Sequence, residues 1–301
     1  MNSLSIHAGQ ERAIESPGLR RVSTFLLLSA GAAVVFSQSI AQLFQLAWTN
    51  DAYSHVLLML PVSIALLFVN REDVFATLNW AVAPGLTVAA GAGVLSIASY
   101  FVQSLSLSIA TLAVLWLSCF VSCFGLDAFR KGLFPLLILA FLVPLPLSVT
   151  GEIAAFLQRG SAEVAYRLLQ IASVPVSREG VILSLPGLTL EVATECSGLR
   201  SSMLLLITSL VIAHVHLRAG WRQIVVALLV IPISTLKNGI RVFTLATASV
   251  YLDHAIMASW LHHNGGFLFF LLGLGLIIGT VKFLQKTERK GERRPQEVVL
   301  N

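Results

Sequence analysis

Long apolar runs recur along this chain, at about 22–46, 56–69, 83–102, 107–124, 133–149, 199–215, 224–247 and 267–284. Several approach the roughly 20 residues that a helix needs to cross the hydrocarbon core of a bilayer. Inside lipid every backbone polar group must be satisfied within the segment, so such runs fold as spanning helices. Composition agrees: 56% of residues are hydrophobic and only 12% charged, against about 25% charged in an ordinary soluble domain. The chain therefore reads as an all-α polytopic membrane protein with about eight transmembrane helices, solvated by a lipid bilayer. The formal charge of +5 points to no nucleic acid, because the basic residues stand at the ends of apolar runs, where membrane topology places them. Arg20 and Arg21 before Ala30-Gly31-Ala32-Ala33 imitate a cleavable signal. That run stays apolar to about Leu46, so an uncleaved first span is expected.

Residues 1–20 read as a disordered cytoplasmic tail, 21–285 as a single multi-span domain and 286–301 as a basic cytoplasmic tail. Within the domain, 150–195 breaks the pattern as the long polar stretch between spans. Ile153, Phe156, Leu157, Val164, Leu168 and Ile171 recur at helical spacing against Glu152, Gln158, Arg159, Glu163 and Arg167. That is an amphipathic helix suited to a membrane interface. Residues 181–192 then read as a short β-hairpin with Pro186-Gly187 at its turn. Threading eight spans from a cytoplasmic N-terminus puts Arg12, Arg20, Arg21, Arg71, Arg130, Lys131, Arg218, Arg222 and the basic tail on the inside. Few basic residues, Arg159, Arg167 and Arg178 among them, are left outside. The positive-inside rule thus predicts two cytoplasmic termini and an extracytoplasmic amphipathic helix and hairpin.

The polar knot Thr194-Glu195-Cys196-Ser197-Gly198-Leu199-Arg200-Ser201-Ser202 opens the sixth run. Thr194 or Ser197 can cap the helix that follows. Cys196 then sits at a helix N-terminus, where the dipole favours the nucleophilic thiolate. The plain alternative is a buried free cysteine filling space; Cys119 and Cys123, one turn apart in an apolar run, read that way. Arg241 lies 17 residues beyond Ile224, roughly 26 Å along its helix, which puts it near the outer face. His262 and His263 precede the eighth run on the same side. A cysteine, an arginine and a histidine thus reach one face from successive helices. An arginine there stabilises a thiolate or an oxyanion, and an imidazole moves the proton, which together suit acyl transfer through a thioester. Arg241 read structurally snorkels, or pairs with Asp253 or Glu195. Lys237, one turn before Arg241, and Asn238 either support the site or have a structural or interfacial role. His55 and His254 are further outer-face histidines, His55 being an alternative to the pair at 262–263. His214 and His216 fall on the inner side and are set aside. No ligand spacing suggests a metal, and nothing calls for a cofactor. The competing readings are a transporter or polysaccharide-export scaffold, and a different membrane acyltransferase. Against a transporter, charges sit at span ends and no internal repeat is visible.

These residues resemble the exosortase/archaeosortase family of membrane transpeptidases. The resemblance rests on Glu195-Cys196-Ser197-Gly198-Leu199-Arg200, on Asn238-Gly239-Ile240-Arg241 and on Leu261-His262-His263-Asn264-Gly265-Gly266-Phe267. Tyr53-Ser54-His55 and Pro144-Leu145-Pro146 also fit, and the similarity runs from about Tyr53 to Phe270. It implies a bacterial inner-membrane enzyme that recognises exported proteins by a tripartite C-terminal tail: a motif of the Pro-Glu-Pro type, an apolar span and a basic end. Cleavage passes through a cysteine thioester to an acceptor, often alongside exopolysaccharide production. By motif match Cys196 is the nucleophile and Arg241 the proton donor or oxyanion stabiliser. His262, spaced four residues before Gly266, is the third member, with His263 as its alternative. Relatives with an added periplasmic domain imply that such a partner, if used, is a separate protein.

Overall fold

The computed structural model describes residues 17–192, 199–251 and 266–297. The chain forms two compact units, residues 1–145 and 146–301. Seven helices are long and apolar enough to cross a membrane, or up to eight if Leu133–Leu142 and Leu147–Ile171 count as one broken span. The fold is thus the all-α polytopic membrane architecture expected.

The first unit opens with α1 (Pro17–Val35) and α2 (Ser37–Thr49), separated at Phe36, where one unbroken run was expected. After a 3₁₀ turn at Asp51–Tyr53 come α3 (Val56–Val69), the short α4 (Arg71–Val74), α5 (Val82–Val102) and α6 (Leu105–Phe124). Gln103, at φ 49°, reverses the chain between α5 and α6. Gly85 lets the two pack closely: a Cβ there would run into the Ser122 hydroxyl, and Ser118 Oγ donates to the Gly85 carbonyl at 2.8 Å. Small residues at such a crossing are the usual device where lipid supplies no hydrophobic drive between helices. An aromatic cluster fills the other side, with Phe25 5.1 Å from Trp116 and Phe124 4.9 Å from Phe120, centroid to centroid. Cys119 and Cys123 are buried free thiols in this packing, as their spacing suggests. The outer surface is apolar: Leu27, Phe101 and Val35 are each more than 70% exposed, as lipid-facing residues should be.

The expected span at 133–149 takes a different form. After α7 (Leu126–Lys131), α8 (Leu133–Ile138) and a 3₁₀ turn to Leu142, regular helix stops, and Leu147 already belongs to the next helix. Pro144 and Pro146 cause this. Proline has no amide hydrogen to donate and pushes the preceding residue out of the α region.

The second unit holds α9 (Leu147–Ile171), strands β1 (Ser177–Glu179), β2 (Ile182–Leu185) and β3 (Leu188–Glu191), then α10 (Leu199–His216), α11 (Gly220–Tyr251) and α12 (Gly266–Glu297). The amphipathic helix is α9. Its buried stripe of Ala154, Leu157, Ser161, Ala162, Ala165 and Leu169 packs along α11 and under the sheet. The hairpin is present at the expected register, Leu185 opposite Leu188, with Gly187 at φ 75° in its two-residue turn. A third strand, β1, pairs antiparallel with β2. Strand alternation puts Leu183, Leu185 and Leu190 into the core against Ala162, Ala165, Val242 and Ala246. At the α9–α11 crossing, a Cβ on Gly239 would strike Val164 and approach the Ser161 carbonyl to 3.1 Å. Gly239→Leu is therefore expected to destabilise the unit by about 1–3 kcal/mol, the usual cost of overpacking, read as a lowered melting temperature in detergent. A melt unchanged from wild type would show that the crossing does not need the glycine.

Candidate active site

Helices α10, α11 and α12 pack together, and two sets of contacts fix their levels. At one level Lys237 of α11 donates to Ser201 of α10 at 2.5 Å, and Gly273 of α12 lies against both the Lys237 stem and Leu205. At the other, Arg222 of α11 donates to the Leu284 carbonyl and to Thr287 Oγ1 of α12, and Glu288 accepts from the backbone of Arg218 and Ala219. So α10 and α12 run parallel and α11 antiparallel. Both α10 and α12 begin at the end towards which α11 carries Arg241. Arg241 stands one turn past Lys237, half-buried, with ten residues of helix still to come, the last being Tyr251. That is about 15 Å, so the arginine sits further from its helix end than the apolar run implied, because α11 extends beyond 247.

Residues 193–198, carrying Cys196, and 252–265, carrying His254, His262 and His263, lie outside the described residues, as do the candidate caps Thr194 and Ser197. The described residues around the first of these segments are informative. Before it, Val192 is buried, and the Gln158 side chain of α9 donates to its carbonyl. After it, Ser201 accepts from Lys237. A side chain from a neighbouring helix thus grips the chain on each side of the cysteine segment. Gln158 was legible only as part of α9's polar face, since nothing in one sequence shows that this face meets the end of a hairpin.

Lys237 is the most unusual group here. It is 2% exposed within a membrane-spanning helix, where a lysine costs about 3 kcal/mol on insertion scales. Among the described residues no carboxylate pairs with it, and the like charge of Arg241 opposes it from one turn on. Its neighbour Asn238 is also buried and donates to Ser161 Oγ of α9 at 3.0 Å. Asn238 and Gly239 thus serve the α9–α11 contact, while Lys237 and Arg241 put charge on the α10 side and at the shared end.

In the first unit, Tyr53 is buried and its hydroxyl donates to the Leu145 carbonyl at 2.8 Å, while Ser106 Oγ donates to the Pro144 carbonyl at 2.6 Å. The Tyr53-Ser54-His55 and Pro144-Leu145 stretches are therefore neighbours. His55 is 6% exposed, with Nδ1 3.1 Å from the Ala52 carbonyl. His214 and His216 line a cleft of about 590 Å³ with Arg218, Gln223, Gln285 and Glu288, at the opposite end of the bundle from Ser201.

Residues 47–279 match the family model described as transmembrane exosortase. The chain belongs to the exosortase family. It is a multi-pass membrane protein of the exosortase type, and the matched region includes every stretch on which the resemblance was drawn. No curated protein and no solved structure matches it. Within this exosortase, Asn238 and Gly239 of that motif pack α11 against α9.

Proposed function

We propose that this exosortase is a cysteine transpeptidase that cleaves exported proteins carrying a tripartite C-terminal tail and passes them to an acceptor nucleophile. The observation that carries the reading is the shared end of the three helices: α10 begins just after Cys196, α12 begins just after His262 and His263, and α11 brings Arg241 to that same end. The Cys196 thiolate attacks the scissile carbonyl carbon, and the electron pair moves onto oxygen, where the Arg241 guanidinium donates to it. The carbonyl re-forms, the C–N bond breaks, and the leaving amine takes a proton from His262, or from His263 in its place. The released tail keeps its apolar span in the bilayer. The acceptor then gives its proton to the imidazole and attacks the thioester, freeing the thiolate. The reaction balances without a cofactor or metal. The reading sets this end at the extracytoplasmic face of the bacterial inner membrane, with both termini cytoplasmic. The sheet beside it forms a lip for the extended tail.

The test is to trap the intermediate. Purified enzyme mixed with a tailed substrate and quenched in acid is expected to carry a substrate fragment on Cys196, removable by hydroxylamine and found by mass spectrometry. Turnover with no hydroxylamine-labile adduct at any time point would rule out the thioester.

A further inference from the structure

We propose that the cleft at the end of the α10–α12 bundle away from Ser201 is a binding site for an anionic phospholipid, whose phosphodiester is held by His216, Arg218 and Gln285. The transpeptidase reading gives this cleft no part, and the inference does not rest on that reading. Depth is the first observation. Helix α10 ends at His216, α11 begins at Gly220, and the apolar part of α12 gives out by Glu288. The cleft therefore lies where three spanning helices leave the hydrocarbon. Trp221, 60% exposed, stands at the same level, as tryptophans do in the headgroup layer. A volume of about 590 Å³ is within the range of small-ligand sites, roughly 300–1,000 Å³.

The lining is rich in nitrogen. Helix α10 contributes His214 and His216, the loop after it Arg218, α11 Gln223 and α12 Gln285. The carboxylate among these described residues, Glu288, is committed to the loop: it accepts from the backbone amides of Ala219 at 2.9 Å and Arg218 at 3.3 Å. Gln223 Nε2 donates to the Leu217 carbonyl at 2.9 Å and fixes the same loop from the other side. His216 Nδ1 donates to the Ile212 carbonyl at 3.0 Å, so a charged ring has Nε2–H to give a phosphate oxygen. Lys282, exposed and one turn before Gln285 on α12, adds a further cation. Basic pockets between spanning helices suit anionic headgroups. The apolar wall selects a lipid over free phosphate. Val215 lines the cleft and is 64% exposed, so the opening continues onto the lipid-facing side of α10, where acyl chains lie.

The experiment is native mass spectrometry of the full chain, released from micelles holding equal amounts of phosphatidylglycerol and phosphatidylcholine. The wild-type chain is expected to retain phosphatidylglycerol about tenfold more often than phosphatidylcholine, as one charge-assisted hydrogen bond provides. Arg218→Gln combined with His216→Gln is expected to abolish the preference. Gln285→Glu adds a second carboxylate to the cleft with almost no change of shape. It is expected to abolish the preference too, and it decides the matter if the double variant does not fold. Arg130→Gln removes an exposed charge of the first unit and is expected to leave the preference in place. Equal retention of the two lipids by the wild-type chain would overturn the proposal, as would a preference that survives Gln285→Glu or an equal loss in Arg130→Gln. If inorganic phosphate raises the melting temperature of the delipidated chain as far as phosphatidylglycerol does, the cleft is a phosphate site and the lipid assignment fails. The readout involves no cleavage, so its failure is distinct from any failure of the transpeptidase reading.

Discussion

Cys196→Ala is expected to abolish processing of a tailed reporter while the protein still accumulates in the membrane. The reporter is an exported domain followed by a sorting motif, an apolar span and a basic end, co-expressed with the enzyme. The expected loss is on the order of 10⁴-fold or more, since removing the nucleophile of a covalent mechanism leaves only the catalysis that binding and the oxyanion donors provide. Accumulation should be near normal because the substitution removes one sulfur atom from a polar segment. It leaves both neighbouring anchors intact, Gln158 on the Val192 carbonyl and Lys237 on Ser201. Cys196→Ser should be almost as inactive, because a hydroxyl is far less ionised than a thiol. Release of the shorter product by the alanine variant at more than a few per cent of the wild-type rate would refute the covalent reading.

Apolar runs and proline placement carried most of the architecture, since both act locally. The run at 56–69 became α3 with the same bounds, and Pro186-Gly187 turned the hairpin where a fixed φ followed by a positive φ predicts. The errors arose where local rules met a second element. Apolar content from 133 to 149 suggested one span, but Pro144 and Pro146 stop the helix, and Leu147 starts another. Strand β1 carries Ser177, Arg178 and Glu179, polar residues that become a strand only because β2 offers an edge. The candidate site residues could be named by type and order, and Arg241's helix end follows from the span count, while Cys196, His262 and His263 lie outside the described residues. The roles of Asn238, Gly239 and Lys237 were not legible, because each depends on which face of α11 meets α9, α10 and α12. A hydrophobic run does not reveal that when polar residues point inward.

Arg241→Gln is expected to lower kcat by about 10²–10³-fold, the range seen when one oxyanion donor is removed, with KM for the tailed substrate nearly unchanged. The split follows from where the interaction is made. A guanidinium facing a neutral carbonyl gains little in the ground state and much once the oxygen is charged, so its loss falls on the transition state. On the proposed reading the long apolar span of the tail supplies the binding, away from Arg241. Arg241→Lys should recover part of the loss, because an ammonium restores the charge but not the planar pair of donors. Lys237 cannot substitute from its place one turn away, since its ammonium is committed to Ser201 and buried among α10, α11 and α12. The measurement is steady-state cleavage in liposomes over a range of substrate densities. A raised KM with kcat preserved would instead make Arg241 a residue that holds a carboxylate of the sorting motif, and catalysis at the oxyanion would have to come from elsewhere.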